Sequence, residues 1–301
     1  MITISHILIL ADIHGNSQAV SKLISIIKKE NWSIDLILIA GDLPVTTPIG
    51  LMLQYIFSHG NLSKTKYTEW VYKGKGRNFF INRQIKSVKI ILTLLSSLEV
   101  PIVYVPGNID CYEAQQVIKT WVNSEVHFLN AEVIKLGSIQ IWGYGGSEFT
   151  PKRYSEPLCD MEFFPEDFSS QMKPLFSKRP DTIASTFNIL LTHEPPAFFY
   201  KTAKGSISGG SGELTKLIRY LKPNLVVFGH YHEFPLIKTQ NNITLINPGP
   251  LTRYHFARVD IEENLTTISI KRMKPIAWDF KNIIYCNRFS QKGTINFNSF
   301  K

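Results

Sequence analysis

The stretch LILIAGDLPV, residues 36–45, decides how the fold is read. It is apolar from Leu36 through Gly41, long enough for one buried strand, and it ends in Asp42 instead of an ordinary polar turn. A carboxylate at the end of a buried strand is either a turn-former or a ligand. The same pattern recurs in ILILADIHG (7–15), PIVYVPGNID (101–110), IQIWGYGG (139–146), NILLTHEPP (188–196) and NLVVFGHYH (224–232). Each reads as a buried strand that delivers polar residues at its C-terminal end.

Helical patterns lie between these runs. After Asn16, an N-cap residue type, Val20, Leu23, Ile24 and Ile27 recur at helical spacing, with Lys28 and Lys29 in the last turn. Ile81, Ile85, Val88, Leu92 and Leu95 form one apolar stripe on a long helix. A further helix is expected from about Glu213 to Leu221, entered through SGGSG and stopped before Pro223. Strand alternating with helix means an α/β fold. The last third changes character: EFPLIKT, ITLINPG, HFARVDI and LTTISIKR read as short antiparallel strands between Asn, Pro and Asp turns.

The chain of 301 residues is 44% hydrophobic and 12% aromatic, so it can bury a sizeable core and carries no mark of disorder. Lys and Arg number 33 against 24 for Asp and Glu, a net charge of +9 that favours anionic partners or simply a solvated basic surface. The excess concentrates between Lys64 and Lys89, where Lys64, Lys66, Lys73, Lys75, Arg77, Arg83, Lys86 and Lys89 meet only Glu69 and are interleaved with Tyr67, Trp70, Tyr72, Phe79 and Phe80. That mixture suits a nucleotide or nucleic-acid partner. Cys111, Cys159 and Cys286 are odd in number and widely spaced, which supports neither a disulfide framework nor a structural zinc site and fits a reducing, cytoplasmic setting. The N-terminal apolar run is interrupted by Asp12 and lacks a basic lead, so it suits a strand and not a signal peptide; no stretch is long enough to cross a bilayer.

The residues at the strand ends are Asp12 and His14, Asp42, Asn108 and Asp110, His193, and His230 and His232. All are oxygen or imidazole donors of the kind that hold borderline metals, and none is a thiolate. Strand C-termini meeting along one edge of an α/β sheet are where such folds place ligands.

ADIHG, AGDL, PGNID, LTHEPP and FGHYH, in that order, resemble the motif set of the calcineurin-like metallophosphoesterases, from about Ile7 to Pro250. The resemblance implies a four-layer α-β-β-α sandwich of two mixed β-sheets flanked by helices, and a metal-dependent phosphoric ester hydrolase, a phosphodiesterase or phosphatase. It implies two divalent or trivalent ions, Mn, Fe, Zn or Ni: one held by Asp12, His14 and His232, the other by Asn108, His193 and His230, with Asp42 bridging both and Asn108 and Asp110 serving catalysis. Two cations about 3.5–4 Å apart lower the pKa of a shared water, present hydroxide in line with phosphorus and neutralise the phosphoryl oxygens. Neutral imidazole and amide ligands keep the site net positive, so an anionic ester is attracted. The expectation is direct hydrolysis by a metal-bridging hydroxide, with no covalent enzyme intermediate; the alternative is a binding or scaffold protein on the same fold.

Two departures stand out. Many family members have His directly after the Asn of the third motif, whereas this chain has Ile109, which can neither donate a proton nor hydrogen-bond through its side chain. His255 in TRYHFAR is the nearest substitute in sequence, although its place reads as strand packing. Asp42 and Asn108 are also 66 residues apart, longer than a compact crossover needs. The expected organisation is a metallophosphoesterase domain over 1–272, with a helical insertion at about 46–98 near the site mouth, and a basic aromatic extension over 273–301. The segment KTAKGSISGGSG (201–212) is expected to be a mobile loop carrying Lys204, or a linker.

Overall fold

A computed structural model describes residues 4–46, 64–121, 125–149, 156–178, 186–202, 205–262, 265–273 and 295–296. Strands β1 (His6–Leu10), β2 (Leu36–Ala40), β3 (Ile102–Val105) and β4 (Val126–Phe128) run parallel, and β15 (His255–Glu262) and β16 (Leu265–Arg272) extend the β1 edge antiparallel. The second sheet has a parallel centre of β6 (Ile139–Tyr144), β9 (Phe187–Thr192), β12 (Leu225–Val227) and β14 (Ile243–Asn247). It is edged antiparallel by β5 (Glu132–Leu136) and β13 (Leu236–Gln240).

The unbroken apolar run of β2 follows from burial on both faces. Leu36, Leu38 and Ala40 pack with Ile7, Ile9, Val103, Ile141, Ile189 and Val227 between the sheets, whereas Ile37 and Ile39 face a helical layer. That layer comprises α1 (Ser17–Lys29), α3 (Arg77–Ser96) and α4 (Tyr112–Lys119), and on the far side α5 (Pro165–Phe176) and α6 (Gly212–Leu221) cover Trp142, Leu190 and Val226. The result is the expected four-layer α-β-β-α sandwich.

The helix signals are borne out at α1, where the Asn16 side chain accepts from the Ala19 N–H at 3.0 Å, and at α6, capped by Ser211 and ended at Lys222 in left-handed backbone before Pro223. The expected stripe on α3 is correct only in its second half. Val88, Ile91, Leu92 and Leu95 join the core and Ile81 packs partly buried against it, but the fully buried residues of the first half are Phe80 and Gln84, and Ile85 is only half-buried. Phe80 is drawn into a separate cluster with Tyr67, Val71 and Tyr72 of α2 (Lys64–Tyr72) and with Leu158, and Gln84 is buried to bind backbone. The stretch expected as an insertion thus divides, among the described residues, into α2 with its own cluster and α3, most of which belongs to the main helical layer. Residues 47–63 lie outside the described residues.

The final third is antiparallel in pairs, β13 with β14 and β15 with β16, but the pairs belong to opposite sheets, and β14 also lies parallel to β12. KTAKGSISGGSG is neither plain loop nor linker. It forms a hairpin of β10 (Phe198–Thr202) and β11 (Gly205–Gly209), joined at Phe199 and Tyr200 by β17 (Ile295–Asn296). Lys204 is outside the described residues, as is the expected extension apart from Met273 and β17. No helix among the described residues is long and apolar enough to cross a membrane.

Candidate metal centre

The loops after β1, β2, β3, β9 and β12 meet along one edge of the sandwich and are sewn together by backbone. The Asp12 N–H donates to the Gly41 carbonyl at 3.2 Å, His14 to Asp42 at 2.9 Å and Gly229 to His193 at 3.1 Å, the last tying β9 to β12. Asp12, His14, Asp42 and His230 all have positive φ, at 50°, 46°, 52° and 67°. Left-handed backbone at non-glycine residues is costly and persists where surrounding structure enforces it, characteristically at functional sites. Gly107 is required for a different reason: a Cβ there would sit 2.0 Å from Asp42 Oδ1.

The side chains converge in two overlapping groups, Asp12 with His14 and His232, and Asp12 with Asp42 and His193, whose ligand atoms lie within 4.8 Å of one another. Asp42 turns one oxygen to each side, Oδ2 lying 3.8 Å from His14 Nε2 and Oδ1 lying 3.6 Å from His193 Nε2. His193 Nδ1–H donates to the Ala40 carbonyl at 2.9 Å, so its Nε2 lone pair faces the centre, 3.1 Å from Asn108 Oδ1. Across the site, His14 Nε2 and His232 Nε2 are 3.3 Å apart, and His232 Nε2 is 3.1 Å from Asp12 Oδ1. The His193 Nε2 lone pair and Asn108 Oδ1, aimed at one another inside a buried site, repel, and a cation between them turns that repulsion into coordination, so this donor set fits metal.

The electrostatics agree. Burial opposes charge on Asp12, yet its hydrogen bond with His232 and the surrounding imidazoles bring it down to about 2, while burial and then Asp12 push Asp42 well above the usual carboxylate range. Burial lowers His14 to about 4 and also lowers His193 and His230, keeping them neutral as ligands must be. His232 is raised, because Asp12 outweighs its burial.

The remaining expected residues sit less centrally. His230 donates its backbone N–H to Asp12 at 3.2 Å, its ring centroid is 5.0 Å from that of His193, and its Nε2 is 3.7 Å from Glu194 Oε2. Asp110 is fully buried beneath the loop, where its Oδ2 accepts from the Tyr104 hydroxyl and from the Gly107 N–H at 2.7 Å. It braces the turn that carries Asn108. His255 lies in β15, where burial, Arg272 and Arg253 lower it to about 4.

A sequence-family model of the calcineurin-like phosphoesterases matches residues 5–234. The chain belongs to that family. Members use a dinuclear metal centre, and the two ligand groups described here are candidates for it. Among solved structures, TT1561 of Thermus thermophilus is similar with a TM-score of 0.57 at 17% identity, over 89% of this chain and 99% of its own. A dimetal phosphatase from Danio rerio is similar with a TM-score of 0.53 at 9% identity, over 89% and 96%. At these identities the likeness is one of fold. No curated protein matches the sequence.

Sequence reasoning missed the residues that support the family site. Gln84 reaches across from α3 to donate to the Ile109 carbonyl at 2.9 Å and accept from the Cys111 N–H at 2.9 Å. Gln84 lies off the stripe read from the sequence, so nothing there marked it. Glu162 accepts from Asn108 Nδ2 at 3.1 Å, and nothing in its CDMEFF context marks it. The aromatics between Lys64 and Lys89 proved mostly structural: Tyr67, Tyr72 and Phe80 are buried and only Phe79 is well exposed. Of the cations, Lys73 pairs with Glu156 at 2.9 Å and Arg77 with Asp160 at 3.0 Å. Aromatics turned inward cannot stack on bases, which removes most of the basis for a nucleic-acid surface there.

Proposed function

We propose that this chain is a dinuclear-metal phosphodiesterase. The observation that carries the reading is the convergence of Asp12, His14, Asp42, Asn108, His193 and His232 at the strand ends with their donor atoms within reach of one another. Asp12, His14 and His232 would hold one cation and Asn108, His193 and His230 the other, with Asp42 placed between the two groups to serve both. Bound there, Mn, Fe, Zn or Ni supplies activated water at neutral pH and neutralises phosphoryl oxygens. The chain's own part is to fix these donors: Ala40 sets the His193 tautomer, the Ile109 N–H holds Asp42 Oδ1 at 3.2 Å, and Asp110 braces the Asn108 turn.

Ile109 favours the diester over the monoester. Ile109 occupies the sequence position at which many members carry an imidazole, and a hydrocarbon side chain there would suit the second organic substituent of a diester better than a further charged oxygen. It also leaves the departing oxygen without a proton donor at this position, which favours leaving groups that depart as weak bases, such as aryl esters. The test is metal analysis with turnover of bis(p-nitrophenyl) phosphate and p-nitrophenyl phosphate by wild type and Asp42→Asn. Diester turnover that requires metal and is lost in Asp42→Asn is expected. Stoichiometric metal without turnover under any divalent ion would instead identify a scaffold.

A further inference from the structure

We propose that Glu162 is the positioning residue that aims Asn108 at the second metal position; the proposal rests on the reading of Asn108 as a ligand given above. A side-chain amide can be turned either way about its last bond, and only one orientation presents oxygen to the centre. Glu162 decides it. Its Oε1 accepts from Asn108 Nδ2 at 3.1 Å, and because a carboxylate only accepts, the NH2 group must face Glu162 and Oδ1 must face His193 Nε2. The flipped amide would set two acceptor oxygens against each other.

Glu162 is itself held. Its Oε2 accepts from the backbone N–H groups of Leu158 and Cys159, both at 3.4 Å, and its own N–H donates to the Cys159 carbonyl at 3.3 Å, closing a turn over 158–162. That turn is clamped from both sides. Arg77 at the start of α3 grips Asp160 with two N–H groups at 3.1 and 3.0 Å, and the Tyr112 N–H at the start of α4 donates to Asp160 at 3.0 Å. On the other side β8 (Glu162–Phe163) pairs with β7 (Ser147–Glu148), and the Ser147 N–H donates to the Met161 carbonyl at 2.9 Å. A ligand with one rotatable amide is thereby fixed through a carboxylate that cannot easily move, as the outer partners of metal ligands generally do.

Metal titrations and a double-mutant cycle test this. Manganese binding to wild type, Glu162→Ala, Asn108→Ala and the double variant is followed by titration and by the electron paramagnetic resonance signature of coupled against isolated ions. In Glu162→Ala the affinity for the weaker ion is expected to fall about 10- to 100-fold, the tighter site to stay within about twofold, and the coupled signal to need correspondingly more manganese. Adding Glu162→Ala to Asn108→Ala should cost nothing further, and Glu162→Gln, whose amide oxygen can still accept from Asn108, should recover part of the loss and keeps the test open if the alanine variant misfolds. Additive losses, equal loss of both ions, or binding like wild type in folded Glu162→Ala would overturn the proposal. A wild type that never binds two ions would instead overturn the reading of the centre itself.

Discussion

At the residue scale the centre depends on a few atoms held against their own preferences. Asp12 and Asp42 are two buried carboxylates within one site: burial opposes the charge on Asp12 but the imidazoles sustain it, whereas burial and then Asp12 favour the neutral form of Asp42. Replacing Asp42 by Asn is expected to lower diester turnover by more than the roughly 10- to 100-fold that an outer partner is worth, with loss of the paired-ion signal. Gly107→Ala would press a Cβ into Asp42 Oδ1 and is expected to cost about 1–3 kcal/mol of unfolding stability, read by urea denaturation, together with metal. His255 supplies a pH test away from the metals. Its folded value, about 4, lies below the unfolded value of 6.5, so the unfolded chain binds a proton first as pH falls. Its contribution is therefore present above pH 6.5 and is lost between 6.5 and 4. His255→Asn should show a shallower fall in Tm over that window than wild type.

At the element scale, what could be read from the sequence was what repeats. β2 is legible because burial on both faces demands unbroken hydrocarbon, and α1 and α6 because their apolar spacing and caps are local. The residues proposed as ligands were legible for the same reason, since each follows a legible strand. The first half of α3 was not, because the burial of Phe80 depends on a cluster with α2 and with Leu158, the latter remote in sequence. Gln84 and Glu162 were invisible too, as each bonds a loop reached only through the tertiary fold. The β10–β11 hairpin was hidden by a glycine- and serine-rich composition that reads as loop. Gln84→Leu fits the space but strands the Cys111 N–H and the Ile109 carbonyl, and should cost about 1–3 kcal/mol by thermal or urea unfolding.

At the scale of the whole molecule, two sheets hold the centre by contributing opposite walls: Asp12, His14, Asp42 and Asn108 follow strands of the first, His193, His230 and His232 strands of the second. Metal bridging those walls would act as a clamp between layers, so its removal should be felt globally. Chelation of protein held at about 100 times the Kd of each ion should remove about 2.7 kcal/mol of stability per ion, about 5 kcal/mol for two, and lower Tm by roughly 5–10 °C. The same dependence on both sheets makes metal stoichiometry the sharpest test of the account. A manganese titration of the full chain, followed by resonance signal and by bis(p-nitrophenyl) phosphate hydrolysis in the same samples, should reach two ions per chain, with hydrolysis rising as the second ion binds. Binding that saturates below two ions, or hydrolysis that persists after complete chelation, would contradict it.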